Sequence, residues 1–321
     1  MVSSRLSGLI AATYTPFHAD GTLALSKVAP MVEHLIRAGN RGLYVCGSTG
    51  EGVSLTTLER CQVAEAYAQA ANKRVPVIVQ VGHNCIAEAK HLAAHAEEIG
   101  ADAVSATCPS YFKVVDIVSL FEVVQAIASA APRLPFYYYH IPAVTGSQVD
   151  IVSFLQFADG KIPNFAGIKY TDKNLAEFQR CLSLGGGKFD AVWGCDDMLL
   201  GAIATGARAA IGSTFNVLAP LYLEMIRDFE SNRLAEAQQI QLQSIEFICK
   251  LGMYPFHTSM KELLRLLGHD FGTCRSPQRS LSKSESKTLH QGLQHLKCLF
   301  ALDFAQSKLR TTPQPFLNNG P

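Results

Sequence analysis

No stretch of this 321-residue chain approaches the ~20 apolar residues needed to cross a bilayer, so a membrane-spanning helix is not expected. Charge is scarce and balanced: 17% of residues are charged, the formal net charge is +1, and no basic stripe occurs. That argues against nucleic acid as the main partner. The nine cysteines form no Cys-x-x-Cys pair, and neither His-Glu-x-x-His nor another zinc-spaced set is present. Free thiols in a reducing cytoplasm, and no resident metal, are the expectations. The residues before Tyr14 lack the apolar core of a secretory signal. With 48% hydrophobic residues, what is left is a globular protein with a sizeable core.

What the chain does have is alternation. Short apolar runs read as strands at 9–12, 42–45, 77–81, 103–106, 136–140, 166–169, 191–193 and 209–211. Between them lie segments with helical spacing and recognisable ends. Gly39, Gly100 and Gly206 read as stops, Thr56 with Glu59 as a capping box, and Asp150 and Asn174 as caps. Eight strand–helix repeats predict an α/β fold, a (β/α)8 TIM barrel whose site gathers at the C-terminal ends of the strands. A doubly wound open sheet competes, because strand count does not prove closure. Residues 1–217 are read as the barrel and 218–305 as C-terminal helices packed on it. Residues 306–321, with Pro313, Pro315 and an Asn-Asn-Gly-Pro end, are read as a flexible tail.

Chemistry-bearing residues sit where those strands end. Phe165-Ala-Gly-Ile-Lys169-Tyr-Thr171 places one lysine at a buried strand terminus, where an amine can serve Schiff-base chemistry or be an ordinary strand-end cation. Gly47-Ser48-Thr49-Gly50-Glu51 offers hydroxyls and freed amides for a carboxylate, and taken alone is equally a tight turn. In Tyr137-Tyr138-Tyr139-His140, alternation sends Tyr137 and Tyr139 to one face and Tyr138 to the other, for proton transfer or for packing. His140 reads as structural. Gly194-Cys195-Asp196-Asp197 and Gly212-Ser213-Thr214 follow the seventh and eighth strands. Their aspartates suit helix capping or sugar hydroxyls, and Cys195 reads as a packed thiol. A closed barrel would bring all these points to one mouth.

Gly-Ser-Thr-Gly-Glu (47–51), Tyr-x-Ile-Pro-Ala (139–143), Gly-Ile-Lys (167–169) and Ile-Gly-Ser-Thr (211–214), in this order and spacing, resemble one family. It is the class I aldolase family of N-acetylneuraminate lyase and dihydrodipicolinate synthase, and the similarity covers about residues 6–300. Two features side with the lyase branch. Ala143-Val144-Thr145 stands where synthases carry an arginine, and Ser48 where they usually have threonine.

The resemblance implies reversible cleavage of N-acetylneuraminate to N-acetylmannosamine and pyruvate, with no cofactor beyond the covalent Schiff base at Lys169. The alternative it leaves is a related pyruvate-dependent aldolase or dehydratase acting on another 2-keto-3-deoxy sugar acid. Tyr139 is implied as the proton relay, and Tyr111 as an aromatic reaching a neighbouring subunit's site in a homotetramer. Ser48 and Thr49 are implied to hold the pyruvate carboxylate, and Thr171, Gly194, Asp196, Asp197 and Ser213 to line the sugar end. Asp197 departs from the glutamate usual in the lyases, which puts the sugar acid itself in question.

Overall fold

The computed structural model describes residues 5–293. Its first half runs β1 (Gly8–Ala12), α1 (Val28–Arg37), β2 (Gly42–Val45), α2 (Thr57–Ala71), β3 (Val77–Gln80), α3 (Ile86–Glu98), β4 (Ala103–Ala106) and α4 (Ile117–Ala128). It continues through β5 (Phe136–His140), α5 (Pro142–Thr145), α6 (Ile151–Ala158), β6 (Phe165–Tyr170), α7 (Leu175–Ser183), β7 (Asp190–Trp193), α8 (Leu199–Ala204) and β8 (Ala209–Gly212). The helices α9 (Phe215–Glu230), α10 (Leu234–Leu251), α11 (Phe256–Leu266) and α12 (Lys283–Leu293) complete it.

The strands pair in sequence order and β8 returns to β1, closing a parallel barrel. Closure settles the choice left open above against an open sheet. It also explains the continuous apolar runs, because each strand is buried on both faces. Alternation sorts their side chains. Ile10, Tyr44, Ile78, Tyr137, Tyr139, Val192 and Ile211 fill the barrel, while Leu9, Leu43, Val79, Tyr138, Ile168 and Trp193 face the helices.

Between β5 and β6 the register slips by one. Phe136 pairs with Phe165 but Tyr137 pairs with Gly167, leaving Ala166 as a bulge. The slip aligns Tyr139 directly with Lys169. Gly167 is the residue that lets β7 approach so closely, since a Cβ there would lie 1.8 Å from the Asp190 carbonyl oxygen.

Local signals behave as their chemistry requires. Thr56 Oγ1 accepts from Glu59 N, and Glu59 Oε2 accepts from Thr56 N at 2.9 Å, so the capping box forms. Asp150 and Asn174 cap α6 and α7. Apolar residues at helical spacing over 221–229 and 260–267 predict helices starting at Leu221 and Met260, but α9 and α11 begin earlier, at Phe215 and Phe256. Residues 275–286 read in the sequence as a polar connector, but the chain is helical from Lys283. Leu289, Leu293, Leu296 and Phe300 predict one apolar stripe on a last helix; the first two are buried, whereas Leu296, Phe300 and the expected tail lie outside the described residues. All eight cysteines among the described residues are free thiols.

Candidate active site

Lys169 lies inside the barrel between the outward residues Ile168 and Tyr170, and is 5% exposed. Its Nζ sits 3.7 Å from the centroid of the Tyr139 ring and 4.4 Å from that of Tyr44. The two rings meet edge to face at 5.8 Å, so the amine rests in a corner of two phenols. The sequence marks Tyr44 only as part of an apolar strand. Its place between the outward Leu43 and Val45 would have revealed it by alternation alone. Its hydroxyl donates to Ser105 Oγ at 3.1 Å, and burial, with Tyr139 next in effect, pushes that phenol well above its usual range.

The Gly47–Glu51 segment turns sharply at the end of β2. Glu51 N donates to the Ser48 carbonyl and Gly52 N to the Gly47 carbonyl, each at 3.1 Å. Cys46 and Glu51 flank it in left-handed backbone, at φ of 60° and 55°. Non-glycine residues held there cost on the order of 1–3 kcal/mol each and persist where neighbours impose them. Thr49 is buried, and its hydroxyl meets that of Ser213 at 2.6 Å, joining the turn to the end of β8. Ser48 is exposed, as a residue at an open mouth would be.

The β7 end divides its two carboxylates. Asp196 Oδ2 accepts from Thr214 N at 2.8 Å and Thr214 Oγ1 at 2.6 Å. Burial raises this carboxyl above the ordinary range; the Thr214 hydrogen bonds and the charge of Lys169 pull the other way. Asp197 turns instead to Lys173, with Nζ at 2.6 Å from its carboxylate. Thr171 Oγ1 is buried with no hydrogen-bond partner, and it lies against Gly194, where a Cβ would be 2.0 Å away. A buried hydroxyl in that condition is ready for an acceptor or donor from outside the protein.

The structure therefore gathers Lys169, Tyr139 and Tyr44 in one corner, with Asp196 within electrostatic reach of the lysine. Thr49 and Ser213 form a second pair, and Thr171 and Gly194 a third. Tyr111 stands apart. It is 79% exposed, edge to face with Phe112, in a loop whose Ser110 and Tyr111 amides donate to Asn84 Oδ1. His140 is outside the barrel as expected, stacked on Tyr170, with burial holding it down at about 4. Among the described residues, no group of three or more His, Cys, Asp or Glu is placed to hold a metal ion.

Residues 5–296 match the model of the dihydrodipicolinate synthetase family. The N-acetylneuraminate lyase of Xenopus tropicalis is 40% identical over 288 residues, covering 89% of this chain and 93% of that one. The N-acetylneuraminate lyase of Mus musculus is 37% identical, covering 88% and 92%. Among solved structures, Proteus mirabilis N-acetylneuraminate lyase superposes with a TM-score of 0.88 at 36% identity, over 94% of this chain and 99% of its own. The chain belongs to the dihydrodipicolinate synthetase family.

Proposed function

We propose that the protein is a Schiff-base aldolase that cleaves N-acetylneuraminate reversibly to N-acetylmannosamine and pyruvate. The observation that carries the proposal is the amine of Lys169, buried inside the barrel and facing the Tyr139 ring at 3.7 Å, directly across from it in register. Relatives named N-acetylneuraminate lyase at 40% and 37% identity support the substrate.

In this mechanism Lys169 Nζ adds to the keto carbon C2 and water leaves, giving an iminium. C3–C4 cleavage then sends its electron pair into a neutral enamine instead of a bare enolate. Tyr139 takes the C4 hydroxyl proton while passing its own toward the pyruvate carboxylate, and the aldehyde leaves. C3 is reprotonated, and water returns the lysine and frees pyruvate. Ser48 and Thr49 hold the carboxylate, with Ser213 fixing Thr49 through its hydroxyl. Thr171 offers its unpartnered hydroxyl, and Gly194, Asp196 and Asp197 line the sugar end. All of this uses the protein's own side chains and no cofactor.

A homotetramer in the cytoplasm completes the proposal, with Tyr111 reaching a neighbouring subunit's site. Free thiols and the exposure of Tyr111 and Phe112 support it. A second reading keeps the imine but changes the aldehyde, to another 2-keto-3-deoxy sugar acid. It is favoured by Asp197, which is shorter than glutamate and engaged with Lys173.

Borohydride added with pyruvate tests the core. Peptide mapping is expected to find a carboxyethyl adduct on Lys169, and a map without it sinks the mechanism. Pyruvate release from N-acetylneuraminate against keto-deoxygluconate separates the two readings.

A further inference from the structure

We infer that Lys261, on α11, is a positioning residue for the carboxylate-binding turn. It holds Glu51, and through Glu51 it fixes the amides and hydroxyls of Gly47–Gly50 that meet the substrate carboxylate. The inference rests on the aldolase reading above and adds to it a role for the C-terminal helices.

The turn cannot hold its own shape. Its internal bonds are the two 3.1 Å contacts already described, and Glu51 at its far end is in left-handed backbone without being glycine. What imposes that conformation comes from far along the chain. Lys261 Nζ sits 2.7 Å from Glu51 Oε1, and both side chains are within 1% of complete burial. Glu51 Oε2 accepts from the Arg275 amide at 2.8 Å.

Lys261 is itself fixed, donating to the Thr273 carbonyl at 3.2 Å and lying 4.4 Å over the Phe17 ring. Arg275 grips the outgoing side, donating to the Ser54 carbonyl at 3.0 Å and to both oxygens of Glu59. From the segment that follows β1, Thr15 Oγ1 donates to the Gly50 carbonyl at 2.6 Å. A carboxylate and an ammonium buried together are fixed in relative position, because either would be stranded if the other moved. The pair thus transmits the seat of α11 to the turn, and misplacing binding groups by an ångström is enough to weaken what they hold.

The full-length protein carrying Lys261→Met tests this, with Asp228→Asn as the comparison. Asp228 is also a buried carboxylate of the C-terminal helices, but its partner is Arg233, not the turn. Lys261→Met is expected to raise KM for the sugar acid about ten-fold with kcat within about two-fold of the parent. Amide exchange across residues 47–52 should quicken. Asp228→Asn should lower thermal stability while leaving KM and that exchange alone.

A Lys261→Met protein with parental KM and parental exchange in the turn overturns the inference. Where that variant fails to fold, Glu51→Gln answers the same question, since it keeps the shape and the acceptor for Arg275 N but removes the charge. Parental KM there is equally fatal. If the parent protein traps no 2-keto acid on Lys169, the aldolase reading itself has failed. That result is separate from an unchanged KM in a parent that does trap one.

Discussion

At the scale of single residues, the surroundings of the amine matter as much as the amine. A carboxylate beside Lys169 would occupy its donors, and an incoming keto group would have to displace it. Ring faces attract a cation by only about 0.5–2 kcal/mol and put no acceptor in the way. The two phenols differ, however. Tyr44 spends its hydroxyl on Ser105, whereas Tyr139 has its Cα directly opposite that of the lysine. Tyr139→Phe is therefore expected to lower kcat by about 10²–10⁴-fold while leaving borohydride-trapped imine at Lys169. Single-turnover cleavage against trapping yield checks it; equal losses in both would mean that Tyr139 only shapes the pocket. Lys169 and Tyr139 were legible in the sequence because strand ends and a two-residue period are local facts. The Asp196–Thr214 bond and the orphaned Thr171 hydroxyl were not, since each depends on which strands become neighbours.

At the scale of elements, the misplaced start of α9 has a physical cause. Pro220 lies inside this helix and lacks an N–H, which reads in the sequence as a boundary. The carbonyl it leaves without a helical donor, that of Asn216, is met instead by His34 Nε2 from α1 at 2.9 Å. A helix can run through a proline when another element supplies the missing donor, and no local pattern announces that. The start of α2 shows a different kind of long-range support. Glu59 completes the capping box and also receives both Arg275 hydrogen bonds, which first among its causes bring its carboxyl down to about 2. Because the folded value is depressed, the stability it contributes is present above the ordinary glutamate range and is lost as pH falls toward about 2. Glu59→Gln should thus lower Tm clearly at pH ~7 and much less at pH ~3, where the unfolded glutamate is protonated. Calorimetry at the two values decides it; an equal deficit at both would remove the charge from the explanation.

At the scale of the whole molecule, the two ends of the barrel divide their labour. The open end carries the proposed site. Toward the β7 start, Asp190 accepts from Tyr137 and from the Leu6 amide at 3.0 Å each, with burial raising its carboxyl, and this ties the N-terminal segment beneath the barrel. The C-terminal helices reach the open end through Gln241 as well as Lys261. Gln241 Oε1 accepts from Leu200 N, and its amide donates to the Asp196 carbonyl. An appendage was legible in the apolar stripes; its grip on the mouth was not, because Lys261 and Arg275 read as surface charges until their partners are known. Tyr111 and Phe112 are both largely exposed, which makes them the test of the proposed tetramer. Light scattering is expected to give the mass of four chains, and Tyr111→Ala with Phe112→Ser to lower mass and activity together. A parental assembly with full activity in that variant would leave the aromatic pair unexplained. Finally, the unopposed Ala166 decides on which side of the wall the chemistry happens. Were Ala166 paired with Tyr137 instead of bulged out, every later residue would slip by one and Lys169 would fall opposite His140, among the helices. The strand's content is therefore freer to vary than its register: side chains around the bulge can be exchanged, but a pairing that absorbs the bulge turns the site inside out.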